Sequence, residues 1–221
     1  MSAREEHIRI ARSARLYRLG EPESARELWV VCHGYGQLPR RFIREFEHLA
    51  SPERYIVAPE GLHRFYIDPP PAPAAKRRVG ATWMTREDRE TDIADYVAYL
   101  DAVVAHVQGA VPGPMRVTAL GFSQGTSTVF RWAVLGATPI ARLILWAGEL
   151  PPDVDMAQAR QRLAGTRVVV VRGRTDSYAS EQAVQGELAR LDQNGIPATV
   201  RVFAGAHELD SALLAEIAAE R

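Results

Sequence analysis

The chain has 221 residues, 47% of them hydrophobic and 24% charged, enough to bury one sizeable core. Its 27 basic and 27 acidic residues cancel, which argues against a nucleic-acid binder, a class that carries a basic excess. No apolar stretch approaches the roughly 18 residues a membrane helix needs, residues 1–14 are charged and lack an apolar signal-peptide core, and the single cysteine, Cys32, can form no intrachain disulfide; together these predict a cytoplasmic protein without stable membrane insertion.

In chain order, His7 to Arg18 alternates loosely and suggests an early strand. Glu27 to Cys32 is a short apolar run leading into His33-Gly34-Tyr35-Gly36, a strand that ends in a glycine turn. Pro39 to Leu49 spaces Phe42, Phe46 and Leu49 as a helix would, and Tyr55 to Ala58 is a strand stopped by Pro59 and Gly61. Leu62 to Met84 shows no clear period; it holds Pro69, Pro70, Pro71 and Pro73, then Lys76, Arg77 and Arg78. Arg86 to Val107 reads as a long helix with Ile93, Val97, Leu100, Val104 and Val107 on one face, ended by Gly109, Pro112, Gly113 and Pro114.

The second half alternates strictly. Strands are expected at Arg116–Leu120, Leu143–Trp146, Val168–Val171 and Thr199–Phe203, and helices at Gln124–Leu135, Met156–Leu163, Glu181–Leu191 and Leu209–Ala219. Strands that are apolar throughout, alternating with helices, predict a mostly parallel sheet covered on both faces. Residues 1–221 are therefore expected to form one α/β domain, with residues 62–86 as a lid or pocket-rim insertion.

Gly121-Phe122-Ser123-Gln124-Gly125 lies where a strand gives way to a helix. A serine flanked by glycines there sits on a sharp turn, with its hydroxyl exposed at the strand end. In a parallel sheet, ligand chemistry gathers at the carboxyl ends of the strands, and three other polar features lie at such ends: the His33–Gly36 turn, Asp176 and His207. Chain order sharpens the assignment. A hydrolase of this kind places serine first, then a carboxylate, then histidine. Of six histidines only His207 follows Ser123, and it falls in the loop between the last strand and the last helix. Between them, Asp176 in Gly173-Arg174-Thr175-Asp176 is the preferred acid, with Asp153 in reserve; Glu181, Glu187 and Asp192 fall on or at the end of a predicted helix.

The chemistry explains the set. A serine hydroxyl is a weak nucleophile at neutral pH; His207 would take its proton and return it to the leaving group, and Asp176 would hold the imidazole's tautomer. The developing oxyanion needs fixed donors, and the backbone N–H groups of Gln124 and Tyr35 are the candidates. Trp83 and Met84 have two readings, acyl-pocket lining or core packing. His33 is expected to brace the turn rather than act in catalysis, and Cys32 to be a buried small hydrophobe. The Lys76–Arg78 cluster reads as a solvated loop, with an anionic headgroup or carboxylate as its functional alternative. No metal-ligand spacing, phosphate loop or dinucleotide fingerprint is present, so neither metal nor cofactor is expected.

GFSQG, the upstream CHGYG, WAGELP (146–151), RGRTD and GAHEL together resemble the phospholipase/carboxylesterase family, which includes acyl-protein thioesterases and small bacterial carboxylesterases. The resemblance runs from about Glu27 to the C-terminus. It implies an α/β-hydrolase fold, the Ser123–Asp176–His207 triad, oxyanion donors at Tyr35 and Gln124, an ester or thioester as the small-molecule substrate, and it admits a homodimer. Thr126, where many relatives carry a small residue, and residues 64–86 depart from the family pattern. The function expected is a serine esterase. Lysophospholipase and acyl-protein thioesterase are its alternatives within the class, and a non-catalytic binding protein on a hydrolase fold is the alternative outside it.

Overall fold

The computed structural model describes residues 2–70, 73, 76–111, 113–178 and 181–220. A seven-stranded sheet runs through the molecule in the order β1-β3-β2-β6-β7-β8-β9. Its strands are β1 (Leu16–Leu19), β2 (Glu27–Cys32), β3 (Arg54–Pro59), β6 (Arg116–Phe122), β7 (Arg142–Trp146), β8 (Arg167–Gly173) and β9 (Ala198–Phe203). All neighbours are parallel except β1, which pairs antiparallel with β3 at one edge. β4 (His63–Tyr66) and β5 (Val79–Thr82) form a separate antiparallel hairpin.

The central strands are apolar on both sides because both sides are covered. Val30, Leu143, Leu145, Val168 and Val170 face one core, closed by α2 (Arg89–Gln108), α3 (Gln124–Leu135), α4 (Met156–Arg162) and α5 (Glu181–Gln193). Their sequence neighbours Val31, Ile144, Val169 and Val171 face the other, closed by α1 (Pro39–Phe42), the 3₁₀ helix Ile43–Leu49 and α6 (Ser211–Ala219). The period-two alternation of each strand thus feeds two helical layers. The end of α6 is fastened by buried Arg142, whose guanidinium donates to the carbonyls of Ile217 and Glu220, cations suiting a helix C-terminus.

Three expectations change. Only Leu16–Leu19 of the early segment pairs as a strand; residues 7–15 run irregularly over the surface, tied down where Arg15 grips Glu60 through two hydrogen bonds of 2.6 and 2.8 Å. The helix expected over Pro39–Leu49 is a single α-turn followed by a 3₁₀ helix, which still buries Phe42, Phe46 and Leu49. Leu62–Met84 contains the β4–β5 hairpin, whose four-residue strands are too short to show a period.

Candidate active site

Every parallel strand ends on the same edge of the sheet, and the turns there carry the polar residues singled out above. Ser123 follows β6 with φ +55° and ψ −118°, a conformation that costs a non-glycine residue on the order of 1–3 kcal/mol. The surroundings enforce it. Gly121 and Gly125 cross so closely that a side chain on the first would overlap the backbone of the second, and one on Gly125 would overlap the Cys32 carbonyl. The Ser123 N–H donates to the Trp146 carbonyl at 2.9 Å, pinning the turn to β7. Thr126, the departure from the family pattern, is fully buried, and its hydroxyl lies 3.0 Å from the carbonyls of both Gly121 and Trp146. The extra side chain is one more stitch between the turn and β7.

Asp176 and His207 lie on loops zipped to each other. Arg174 N–H donates to the Phe203 carbonyl and Thr175 N–H to that of Gly205, both at 2.9 Å. His207 Nδ1 then meets Asp176 Oδ2 at 3.0 Å, while Oδ1 accepts from the Tyr178 N–H at 2.9 Å. The carboxylate is almost wholly buried and the imidazole about one-fifth exposed. With Nδ1–H given to the carboxylate, Nε2 is the free, accepting nitrogen. The ring lies between Tyr178, with centroids 4.5 Å apart, and Phe122, with centroids 5.0 Å apart. Phe122 immediately precedes Ser123, so this contact sets the histidine beside the serine turn. The Ser123 hydroxyl makes no hydrogen bond to His207 in this structure; such contacts are often long until substrate binds.

Asp153 is occupied elsewhere. It accepts from buried Arg131 at 2.7 and 3.1 Å and pairs with Arg89 at 2.8 Å. Despite partial burial, those guanidinium contacts hold its carboxyl well below the usual carboxylate range. Glu187 pairs with Arg172 at 2.5 Å, and burial pushes its carboxyl up.

On the other side of Ser123 lies the His33–Gly36 turn. His33 is fully buried, and burial lowers its pKa from 6.5 to about 4. Its Nε2 accepts the Gly61 N–H at 3.0 Å, which makes Nδ1 the donor to the Gly34 carbonyl at 2.8 Å. Gly34 C=O and Tyr35 N–H belong to one peptide plane, so this bond aims the Tyr35 N–H in the opposite direction. The Tyr35 N–H has no partner among the described residues, and the Gln124 N–H, at the first position of α3, has no intrahelical acceptor. Cys32 is buried, which pushes its thiol up and away from nucleophile chemistry.

Trp83 packs within the core. It is fully buried, stacks on His33 at 5.2 Å and donates its indole N–H to the His33 carbonyl at 2.8 Å. Met84 is half-buried and packs against the same core. A cavity of about 390 Å³ lies instead between α1 and the hairpin, with Gln37, Leu38, Phe42, Ile67 and Val79 in its walls and Arg40, Arg41 and Arg78 around it. Ile67, Arg78 and Val79 fall in the 62–86 segment expected as a lid or pocket rim, whereas sequence reasoning assigns no site role to Gln37 or Leu38, nor to the Phe122 and Tyr178 rings against His207, because those contacts join residues far apart in the chain. Of the basic cluster, Arg78 is committed to Asp68 through a fork with contacts of 2.8 and 3.0 Å, and Arg77 stacks on Tyr66 at 4.3 Å. Among the described residues the His/Asp/Glu cluster with metal-like spacing is Glu5, His7 and Asp88, all exposed, two on the N-terminal segment and one at the start of α2. No helix among the described residues is long and apolar enough to cross a membrane.

The fold recurs among solved hydrolases. Acyl-protein thioesterase 2 of Zea mays superposes with a TM-score of 0.69 at 17% identity, over 93% of this chain and 96% of that one. A carboxylesterase of Mesorhizobium loti gives 0.67 at 20% identity over 94% of both chains. Esterase PE8 gives 0.65 at 22% identity, over 92% of this chain and 99% of its own. A search of proteins with curated function returned no match. The sequence profile named phospholipase/carboxylesterase matches residues 20–219, nearly the whole length. A doubly covered, mostly parallel sheet, a serine turn at the end of β6 and a profile spanning both identify the chain as a member of the phospholipase/carboxylesterase family of α/β-hydrolases.

Proposed function

We propose that this protein is a serine hydrolase that cleaves carboxylic esters through an acyl-enzyme intermediate. The observation that carries the reading is Ser123 held at φ +55° beside a His207 whose Nδ1 is engaged by buried Asp176. Ser123 Oγ attacks the ester carbonyl as His207 Nε2 takes its proton. The tetrahedral oxyanion is received by the N–H groups of Tyr35 and Gln124, each such donor being worth about 3 kcal/mol of barrier. Collapse releases the alcohol, protonated by His207, and leaves an acyl-serine. Water then attacks with His207 again as base, returning free Ser123 and a carboxylic acid.

Asp176 stabilises the imidazolium and keeps Nδ1–H in place, which supports it over Asp153, whose oxygens are committed to Arg131 and Arg89. The cavity against Gln37 and Phe42 is the proposed site for the acyl chain: Phe42 lies 6.2 Å from the Phe122 ring that adjoins Ser123. A thioester would follow the same steps with a thiol leaving group, and the likeness to a fold whose members include an acyl-protein thioesterase keeps that substrate in the same scheme. A binding protein without catalysis would have no use for a strained, hydroxyl-bearing residue at this position.

Fluorophosphonate labelling and hydrolysis of 4-nitrophenyl butyrate test the reading. The protein is expected to label at Ser123. Ser123→Ala is expected to lose labelling and about 10⁶-fold in kcat. Full hydrolysis by Ser123→Ala, or a folded protein that never labels, would sink it.

A further inference from the structure

The β4–β5 hairpin stands outside the central sheet, yet β5 contacts both segments that carry the backbone donors assigned to the oxyanion. On one side it pairs with the turn that carries Tyr35: the Gly36 N–H donates to the Ala81 carbonyl at 2.9 Å, and the Ala81 N–H to the Gln37 carbonyl at 3.1 Å. Gly80 presses so closely on Gly36 that any side chain at residue 80 would overlap the Gly36 backbone. On the other side β5 holds the side chain of Gln124. The Gln124 amide donates to Thr82 Oγ1 at 2.7 Å and to the Met84 carbonyl at 3.2 Å, and its Oε1 accepts the Trp83 N–H at 3.3 Å. Thr82 Oγ1 passes its own proton to the Met84 carbonyl at 2.9 Å. Trp83 carries the chain on through its indole bond to the His33 carbonyl, and His33 Nδ1 holds Gly34.

These contacts form a chain: Gln124 side chain, Thr82 and Trp83, His33, and the Gly34–Tyr35 peptide. His33 and Trp83 are fully buried and Thr82 nearly so. We propose that β5 is the spacer that fixes the separation of the two oxyanion donors, with Thr82 and the Gln124 side chain as positioning residues that touch no reacting atom. The inference rests on the reading of Tyr35 and Gln124 as donors. It follows from geometry: an oxyanion hole works when its donors lie about 2.7–3.1 Å from the developing charge, and a misplacement of about 1 Å can cost 10²-fold in rate. The two donors come from different chain segments, the turn after β2 and the start of α3, and β5 bridges them directly. In this role residues 79–82 act as a strut. A lid built from them would have to break the bonds to Gly36, Gln37 and Gln124 each time it opened.

Three variants test the strut: Thr82→Val, which keeps the shape and removes the hydroxyl; Thr82→Ser, which restores it; and Gln124→Ala, which keeps the backbone N–H and removes the clamp. Steady-state hydrolysis of 4-nitrophenyl butyrate and thermal melting are measured for each, beside Ser123→Ala. Thr82→Val and Gln124→Ala are expected to lose roughly 10- to 100-fold in kcat with KM within about threefold, while Thr82→Ser stays within about threefold of the parent in both. Full kcat in folded Thr82→Val or Gln124→Ala would overturn the inference. So would equal losses in Thr82→Val and Thr82→Ser, since the hydroxyl would then not be the operative group. Should Thr82→Val fail to fold, Gln124→Ala, altered at a half-buried position, decides alone. If Ser123→Ala remains active, the serine mechanism itself fails; if only the strut variants are silent, the mechanism stands and the strut falls.

Discussion

On one side of Ser123, the proposed oxyanion donors are backed by a hydrogen-bonded chain through His33, Trp83, Thr82 and Gln124, all buried except the half-buried Gln124. On the other, His207 stands on a loop, a fifth exposed, held by one bond to Asp176 and by the faces of Phe122 and Tyr178, the latter mostly exposed. The proposed chemistry explains the difference. Donors that only receive charge gain from being rigid, because preorganisation removes the cost of reorienting dipoles. A histidine that must first take a proton from serine and then deliver it to a leaving group needs room to reach both atoms. The contrast predicts that damage on the histidine side hits chemistry with little loss of stability, whereas damage on the oxyanion side hits both.

The largest expected effect breaks the histidine side. Asp176→Asn leaves the fold intact but offers Nδ1 an ambiguous partner, and kcat is expected to fall about 10⁴-fold. Asp153→Ala is its control. Removing that carboxylate strands Arg131, which is 4% exposed, and is expected to cost about 3 kcal/mol in denaturant unfolding while kcat at 25 °C stays within a few-fold. If Asp153→Ala abolished turnover and Asp176→Asn did not, the acid would have been assigned to the wrong loop.

Those two aspartates show how far the sequence reaches. Both follow Ser123 and both lie in loops, so order alone left them as first choice and reserve. Position just past a strand end favoured Asp176, and the 3.0 Å contact to His207 supports that preference. The sheet was legible because strands buried on both faces are continuously apolar, as at Val168–Val171. The hairpin was not. Its strands are four residues long, and its contacts run to Gly36, Gln37 and Gln124, groups distant in sequence. Trp83 illustrates the same limit: an indole near the proposed site reads alike whether it lines a pocket or packs on a buried histidine, and its partner, His33, lies fifty residues away.

A smaller effect sharpens the oxyanion side. Buried His33 is neutral, with its pKa lowered from 6.5 to about 4. The unfolded chain therefore binds the proton more readily. The stability this group contributes is fully present above about pH 6.5 and is lost as pH falls toward 4, up to about 3 kcal/mol in all. Protonation would also put a proton on Nε2, against the Gly61 N–H. Urea unfolding at pH 4.5 and 7.5 should show a loss in the parent that is smaller in His33→Gln by roughly 2 kcal/mol. An identical pH dependence in both would mean that His33 is not the buried titrating group.

The smallest effect concerns the cavity proposed for the acyl chain. Its walls are apolar at Leu38, Phe42, Ile67 and Val79, while its rim carries Arg40 and Arg41, both exposed and without an acidic partner among the described residues, against one acid, Glu45. Arg78 contributes less, because Asp68 neutralises it. In a chain whose charges cancel overall, the Arg40 and Arg41 guanidinium groups at the mouth of the proposed acyl cavity are expected to favour a chain that ends in a carboxylate over one that ends in a methyl group. Exposed pairs are each worth about 0.2–1 kcal/mol, so mono-4-nitrophenyl adipate should exceed 4-nitrophenyl hexanoate in kcat/KM by only roughly 2- to 5-fold per arginine at low salt. Arg40→Ala with Arg41→Ala should erase that preference and leave the hexanoate rate unchanged, and added salt should shrink it in the parent. A preference that survived the double variant would move the acyl chain out of this cavity and leave the bracing of the oxyanion donors untouched.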